Sequence, residues 1–299
     1  MPVALAIGNF DGVHRGHQAL LAQLAASARR RELTPAVMTF EPHPREFFAP
    51  ATAPARVANL RDKIGALAAA GVERVFIQHF NRRFASLAPE QFIDDVLAGA
   101  LNARCLLVGD DFRFGARRAG DVELLRRRAS LRGYVVEQLR TVQQHGVRVS
   151  SSEVREALAA GDLAHAEALL GRPYSISGRV LHGRKLGREI GFPTLNLRLT
   201  QRRPAAHGIF AVKVHGLGER ARPGVASIGL RPTVEESGRW LLEVHLFDFA
   251  QQVYGRLVRV ELVRKLRDET RYESLAALQS AIRGDAEAAR ALLGAEPLP

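Results

Sequence analysis

Val3-Ala4-Leu5-Ala6-Ile7-Gly8-Asn9-Phe10-Asp11-Gly12-Val13-His14-Arg15-Gly16-His17 decides the fold of the first half of the chain. Five apolar residues in a row read as a strand buried on both faces. A turn punctuated by Gly8, Gly12 and Gly16 follows, and then an amphipathic stretch begins. Strand, glycine-rich turn and helix start together form an anion site, because backbone N–H groups and the helix dipole converge there. His14 and His17 stand three apart on one helical face, where imidazoles can donate hydrogen bonds to phosphate oxygens. Zinc would want further cysteine or histidine ligands at matching spacing. The chain has one cysteine, Cys105, inside an apolar run, and no H-x-x-x-H pair. Phosphate is the expected ligand of this turn.

Outward from that motif, apolar runs at Val3–Ile7, Ala36–Phe40, Val72–Ile77, Cys105–Val108 and Tyr134–Val136 alternate with amphipathic stretches. The latter predict helices over Gln18–Arg31, Leu60–Ala70, Pro89–Leu101 and Asp121–Arg132. Alternation of this kind predicts an α/β domain, a parallel sheet covered on both faces. Ligands of such sheets sit beyond the carboxyl ends of the strands. The Gly8–His17 turn lies at that edge, as do Glu41-Pro42-His43-Pro44 and Gly109-Asp110-Asp111-Phe112-Arg113-Phe114-Gly115. Two short helices, Glu153–Ala160 and Asp162–Leu170, close this half, and Gly171-Arg172-Pro173 breaks it.

After the break the pattern becomes short β-branched or alternating runs: Tyr174–Leu181, Ile209–Val214, Gly224–Ile228, Leu241–Phe247 and Leu257–Leu266. These predict an antiparallel barrel or sandwich. An alanine- and arginine-rich helix over Ser274–Leu293 follows. Two domains are expected, 1–170 and 171–299.

The 299 residues, 46% hydrophobic and 25% charged, suit a globular protein with two cores. No apolar run reaches the roughly 18 residues a membrane helix needs, and the first residues carry no signal-peptide pattern. One cysteine excludes an intramolecular disulfide and fits a reducing cytoplasm. The net charge of +12 is spread over both halves. Its longest basic runs, Arg29-Arg30-Arg31 and Arg126-Arg127-Arg128, lie in predicted helices and read as solvated faces rather than a nucleic-acid footprint.

Further elements carry candidate chemistry. Ser150-Ser151-Ser152 precede a helix with Arg155 in its first turn; on these residues alone the reading is a structural cap, with a phosphate grip as the alternative. Gly183, Lys185 and Gly187 belong to a basic glycine-rich loop that runs on to Thr194 and Asn196. It is no Walker sequence, since G-K-[ST] is absent. Glu243 lies in an apolar strand, with His245 on the same face. A strand carboxylate often merely faces water, but one flanked by apolar residues is costly to bury without a purpose.

Gly8 to His17 resembles the G-N-F-D-G-V-H-x-G-H signature of nucleotidyltransferases that transfer AMP from ATP. In this form it is most similar to the bifunctional bacterial riboflavin kinase/FAD synthetases. Val149 to Arg155 resembles that family's I-S-S-T-x-I-R. Gly109 to Gly115 is similar to its V-G-x-D/N-F-R-F-G. Gly191-Phe192-Pro193-Thr194-Leu195-Asn196 resembles its G-F-P-T-A-N, with Leu195 in place of alanine on the side expected to point away from the site. Leu242 to Phe249 resembles L-E-x-H-x-F-D-F, and Tyr254-Gly255 with Leu266-Arg267-Asp268-Glu269 matches two further runs. Two departures are the short leader that the family usually carries before the first strand, and Ala281-Ile282-Arg283-Gly284-Asp285 in place of Q-I-x-x-D.

The resemblance implies a Rossmann-like nucleotidyltransferase domain followed by a riboflavin kinase barrel with a terminal helix. It implies that His14 and His17 stabilise the charge at the α-phosphorus. It puts Gly8, Asn9, Phe10, Asp11, Gly12, Ser151, Ser152 and Arg155 on ATP, and Asp110 and Phe112 along the flavin. In the kinase it implies Gly183, Lys185, Gly187 and Thr194 on ATP, Thr194 and Asn196 on Mg²⁺, and Glu243 as base. The expected chemistry is phosphorylation of riboflavin to FMN and adenylylation of FMN to FAD. The expected setting is the cytoplasm, as a monomer or weak homo-oligomer that works on small molecules and binds neither nucleic acid nor membrane. The alternative is a flavin-, nucleotide- or nucleic-acid-binding regulator with a degenerate transferase domain, for which the +12 charge is the best support.

Overall fold

The computed structural model describes residues 1–109, 111–139, 143–144, 147–182, 191–201, 203–231 and 239–294. The chain divides into two compact units, Met1–Pro54 with Lys63–Ser150, and Ala55–Asp62 with Ser151–Pro299.

Up to Ser150 the elements run β1 (Val3–Ile7), α1 (Arg15–Arg30), β2 (Thr34–Glu41), α2 (Pro44–Phe48), α3 (Leu60–Ala69), β3 (Arg74–His79), α4 (Arg82–Ala85) and α5 (Pro89–Gln91). A π-helix (Phe92–Ala100), β4 (Ala103–Gly109), α6 (Val122–Arg132), β5 (Val135–Leu139) and a two-residue ladder of β6 (Gln143–Gln144) with β7 (Val147–Arg148) complete them. The five long strands are parallel, in the order β3-β2-β1-β4-β5. Successive strand residues face opposite ways, so β1 feeds two cores. Val3, Leu5 and Ile7 pack with Met38, Leu106, Ile93, Leu97 and Leu125 on one face. Ala4 and Ala6 pack with Val37, Leu107, Leu21, Leu24 and Leu67 on the other.

The expected strands are all present, with ends moved by up to three residues. Besides the short α4 and a 3₁₀ turn at Ala116–Arg118, which patterning did not predict, three differences concern helices. α1 starts at Arg15, three residues before the expected Gln18, because His14 is its N-cap. Pro89–Leu101 is mostly π-helical: Leu101 N–H reaches back five residues to Val96 O at 2.9 Å. The wider turn brings Phe92 and Leu97, five apart, onto the same buried core. The short α2 follows Glu41-Pro42-His43-Pro44, for which no helix was expected, and is held by a capping box between His43 and Glu46.

The second unit begins with α7 (Ser151–Ala160) and α8 (Leu163–Leu170), the latter ended by Gly171 at φ 72°. β8 (Ser175–Leu181), β9 (Leu195–Arg198), β10 (Gly208–His215), β11 (Arg222–Arg231), β12 (Arg239–Leu246) and β13 (Leu257–Arg267) form a closed barrel, in the order β10-β11-β12-β9-β8-β13. Every pair is antiparallel. Of the barrel strands, β9 is the one that sequence patterning did not delimit; four residues beside a glycine- and arginine-rich loop carry too short a period to read. Alternation fills the barrel with Leu197, Phe210, Val212, Ala226, Ile228, Leu242 and Val244, all buried. The outward Ile209, Ala211 and Val225 are covered by Ala286 and Ala289 of the last helix, α9 (Leu275–Leu293). Arg267 clamps that helix through a two-pronged pair with Asp285, at 2.8 and 2.6 Å. Residues 55–62 join this unit because Tyr174 Oη donates to Val57 O, Asn59 Nδ2 donates to Ser177 O and Ser177 N–H donates to Asp62, each at 2.9 Å.

Candidate active sites

In the first unit, β1 lies between β2 and β4, and the chain leaves it toward β2 but returns to its other side as β4. That reversal opens a crevice at the carboxyl ends of the strands, where the Gly8–His17 loop sits. The loop is fixed at several points. Gly8 N–H donates to Met38 O at 3.1 Å. Thr39 Oγ1 donates to Asn9 O at 3.2 Å and accepts from Lys63 Nζ at 3.4 Å. The Lys63 ammonium, almost wholly buried, also donates to Glu41 at 3.2 Å. Phe10 and Val13 are held at φ 47° and 43°. For a β-branched valine that is an unfavourable backbone, the kind of local strain that clusters at ligand loops.

His14 and His17 are brought together. Their rings stack with centroids 3.7 Å apart, and the Phe10 ring lies 5.1 Å from that of His17. His14 Nδ1 accepts from the His17 backbone N–H at 3.4 Å, so in the neutral ring Nε2 carries the proton and is the donor. Burial, then the His14 imidazole and then Lys63, hold His17 well below the usual histidine pKa. The Asn9 Oδ1 and His17 Nδ1 atoms are buried without a hydrogen-bond partner, as ligand-seeking atoms would be. Gly16 lies against Val149, whose carbonyl oxygen would stand 3.1 Å from a Cβ placed there. Asp11 is buried and Gly12 sits at φ 86°. Phe112 turns back through its N–H to Gly109 O and stacks on Phe114 at 5.5 Å. Asp110 lies outside the described residues.

In the second unit, α7 presents Ser151 half-buried and Ser152 exposed, while Arg155 Nε donates to Ala55 O at 2.7 Å. The barrel supplies the other site. Its register places Asn196 of β9, Glu243 of β12 and Ser227 of β11 side by side across three strands on the outer face. Leu195 pairs instead with Val244, on the barrel-core side, so it points away from Glu243 as expected. Thr194, Glu243, Ser227 and His245 line a cavity of about 630 Å³ against α9. Asn196 Nδ2 donates to Thr194 O at 3.4 Å, and its Oδ1 is buried without a partner. A neutral oxygen so placed suits a hard cation such as Mg²⁺. Gly183, Lys185 and Gly187 lie outside the described residues.

His245 was expected only to share Glu243's face. It does more: its Nδ1 donates to Pro193 O at 2.9 Å and its ring meets those of Phe192 and Phe247. Burial lowers its pKa, opposed by the Pro193 bond, so a neutral imidazole props the segment that carries Thr194. Lys63, Thr39 and Ser227 carried no sequence signal, since each acts through a residue distant in the chain.

Two family models match. The model described as FAD synthetase covers residues 1–153, and that described as riboflavin kinase covers 170–293. A bifunctional riboflavin kinase/FMN adenylyltransferase of Escherichia coli K12 is 50% identical over 290 residues, 97% of this chain and 92% of that protein. The chain belongs to the bifunctional riboflavin kinase/FMN adenylyltransferase family. A Pseudomonas fluorescens member of that family is 50% identical over 96% of this chain and 91% of its own length. A crystal structure described as a macrolide-efflux protein from Streptococcus pneumoniae superimposes with a TM-score of 0.75 at 31% identity, over 97% of this chain and 94% of that one. Among the described residues no helix is long and apolar enough to cross a membrane. The family places a parallel-sheet transferase domain and a kinase barrel on one chain, which favours the two-enzyme reading over the degenerate regulator.

Proposed function

We propose that this chain converts riboflavin to FMN with one ATP and FMN to FAD with a second, the first step in the 171–299 barrel and the second in the 1–170 domain. The observation that supports both is a pair of separate constellations: stacked His14 and His17 in the sheet crevice, and the Asn196–Glu243 row with Thr194 beside a cavity.

In the kinase, Glu243 accepts the proton of the ribityl hydroxyl as its oxygen bonds to the γ-phosphorus, and the bond to the bridging oxygen breaks to release ADP. Thr194 and Asn196 hold Mg²⁺, which neutralises phosphate charge when bound. Gly183, Lys185 and Gly187 cover the phosphates. In the transferase, an oxygen of the FMN phosphate attacks the α-phosphorus in line, and pyrophosphate leaves. No side chain becomes covalent, because the attacking phosphate is already ionised. His14, through Nε2–H, and neutral His17 donate to the oxygens that gather charge. Gly8, Asn9, Phe10, Asp11 and Gly12 line the ATP site, Ser151, Ser152 and Arg155 take the β,γ tail, and Asp110 and Phe112 border the flavin. The single buried Cys105 supports a reducing cytoplasm, and we assign a monomer or weak homo-oligomer without nucleic acid.

Incubating the protein with riboflavin, ATP and Mg²⁺ tests the reading by product chromatography. FMN is expected first and FAD later. FMN that accumulates without FAD while pyrophosphate is removed would overturn the transferase assignment, and absence of FMN would overturn the kinase.

A further inference from the structure

The kinase cavity holds a second carboxylate that phosphoryl transfer does not use. Glu269 follows β13 and lines the same cavity as Glu243. Ser227 Oγ donates to Glu269 Oε1 at 2.7 Å, and Ser227 stands directly opposite Glu243 in the barrel register. One serine thus lies between two acidic groups. Gly229, two residues further along β11, makes the seat: a Cβ there would collide with the Glu269 carboxylate. Its backbone is not in the left-handed region, so the reason for glycine is space rather than φ. Arg267 and Arg271 line the same cavity; Arg267 is engaged by Asp285 through two bonds, although Glu269 also contributes to holding its charge.

A carboxylate accepts hydrogen bonds and repels anions. The flavin substrate is neutral and carries four hydroxyls and an imide N–H, all donors. The product differs by a phosphate of about −1.5 to −2 charge. We propose that Glu269 is a specificity-determining residue of the kinase site, which accepts a hydrogen bond from a donor of the neutral flavin and, with Glu243, disfavours the phosphorylated product. The proposal rests on the riboflavin kinase reading. Of the three carboxylates that line this cavity, Asp285 is taken up by Arg267, Glu243 moves a proton, and Glu269 sorts substrate from product and favours release of FMN.

The test is initial-rate kinetics of riboflavin phosphorylation, with FMN as inhibitor, on the full chain and on Glu269→Gln and Gly229→Ala. Glutamine keeps size and one acceptor but loses the charge. Loss of a charge-assisted bond should raise the riboflavin KM about 10-fold. The FMN inhibition constant should fall about 3–10-fold as repulsion eases. The kcat should change less than about 3-fold, unlike a base variant. Gly229→Ala keeps the charge but evicts the carboxylate, and should raise KM in the same way. A kcat within about 3-fold of wild type shows that the barrel of each variant is folded, and FAD formation from supplied FMN should be unchanged. Unchanged KM and unchanged FMN inhibition in Glu269→Gln overturn the proposal, and so does a fall in kcat with KM intact. A wild-type chain that does not phosphorylate riboflavin would instead sink the kinase reading itself.

Discussion

Replacing Thr39 by valine keeps the volume of a fully buried side chain and deletes one hydroxyl. That hydroxyl links Lys63 to the phosphate loop: it accepts from Lys63 Nζ at 3.4 Å and donates to Asn9 O at 3.2 Å. A neutral hydrogen bond contributes about 0.5–1.5 kcal/mol net and one to a charged group about 1.5–3 kcal/mol. Both bonds are long, so the low end of each range applies, about 2 kcal/mol together. The loop bears Phe10 and Val13 at positive φ, and has reason to relax once untied. If the whole loss falls on the arrangement that stabilises the transition state, FAD formation slows about 30-fold. Riboflavin phosphorylation, which uses the barrel, should be unchanged. The assay is initial rates of FMN from riboflavin and of FAD from FMN, with a thermal melt beside them; about 2 kcal/mol corresponds to a fall of about 4–8 °C for a unit of this size. A melt lowered by that amount with FAD formation within twofold of wild type would refute the claim that Thr39 holds the loop for catalysis. Equal loss in both reactions would refute it too.

Other outcomes follow from the same geometry. His17→Ala should slow FAD formation about 10²–10³-fold, as for loss of one oxyanion donor, with FMN formation spared. Glu243→Gln should slow FMN formation about 10²–10⁴-fold, the range of a general base, while adenylylation of supplied FMN persists. Asn196→Ala should shift the Mg²⁺ titration of the kinase to higher concentration without moving that of FAD formation. Holding His17 neutral means that the unfolded chain binds more protons than the folded one below the ordinary histidine pKa. Stability should therefore fall as pH drops from about 6.5, and His17→Gln should flatten that part of the stability–pH curve, measured by chemical denaturation.

Both architectures and most of the residues to test were legible in the amino-acid pattern. Runs such as Val3–Ile7 and Cys105–Val108 are apolar throughout because a parallel sheet buries both faces, and the alternation in Leu242–Leu246 reflects a barrel with one packed side. The Gly8–His17 spacing was legible because a phosphate site needs its glycines and donors within one local turn. Tertiary structure alone decided what depends on distant segments meeting. Strand pairing set Asn196, Glu243 and Ser227 in one row, although they come from three strands up to 47 residues apart in the chain. Packing of α3 against β2 buried Lys63 beneath Thr39, and a four-residue strand became recognisable only through the neighbours that pair with it. Local chemistry is written in neighbouring residues. Register, burial and the lowered pKa of His17 arise from contacts between segments far apart in sequence, which no local pattern encodes.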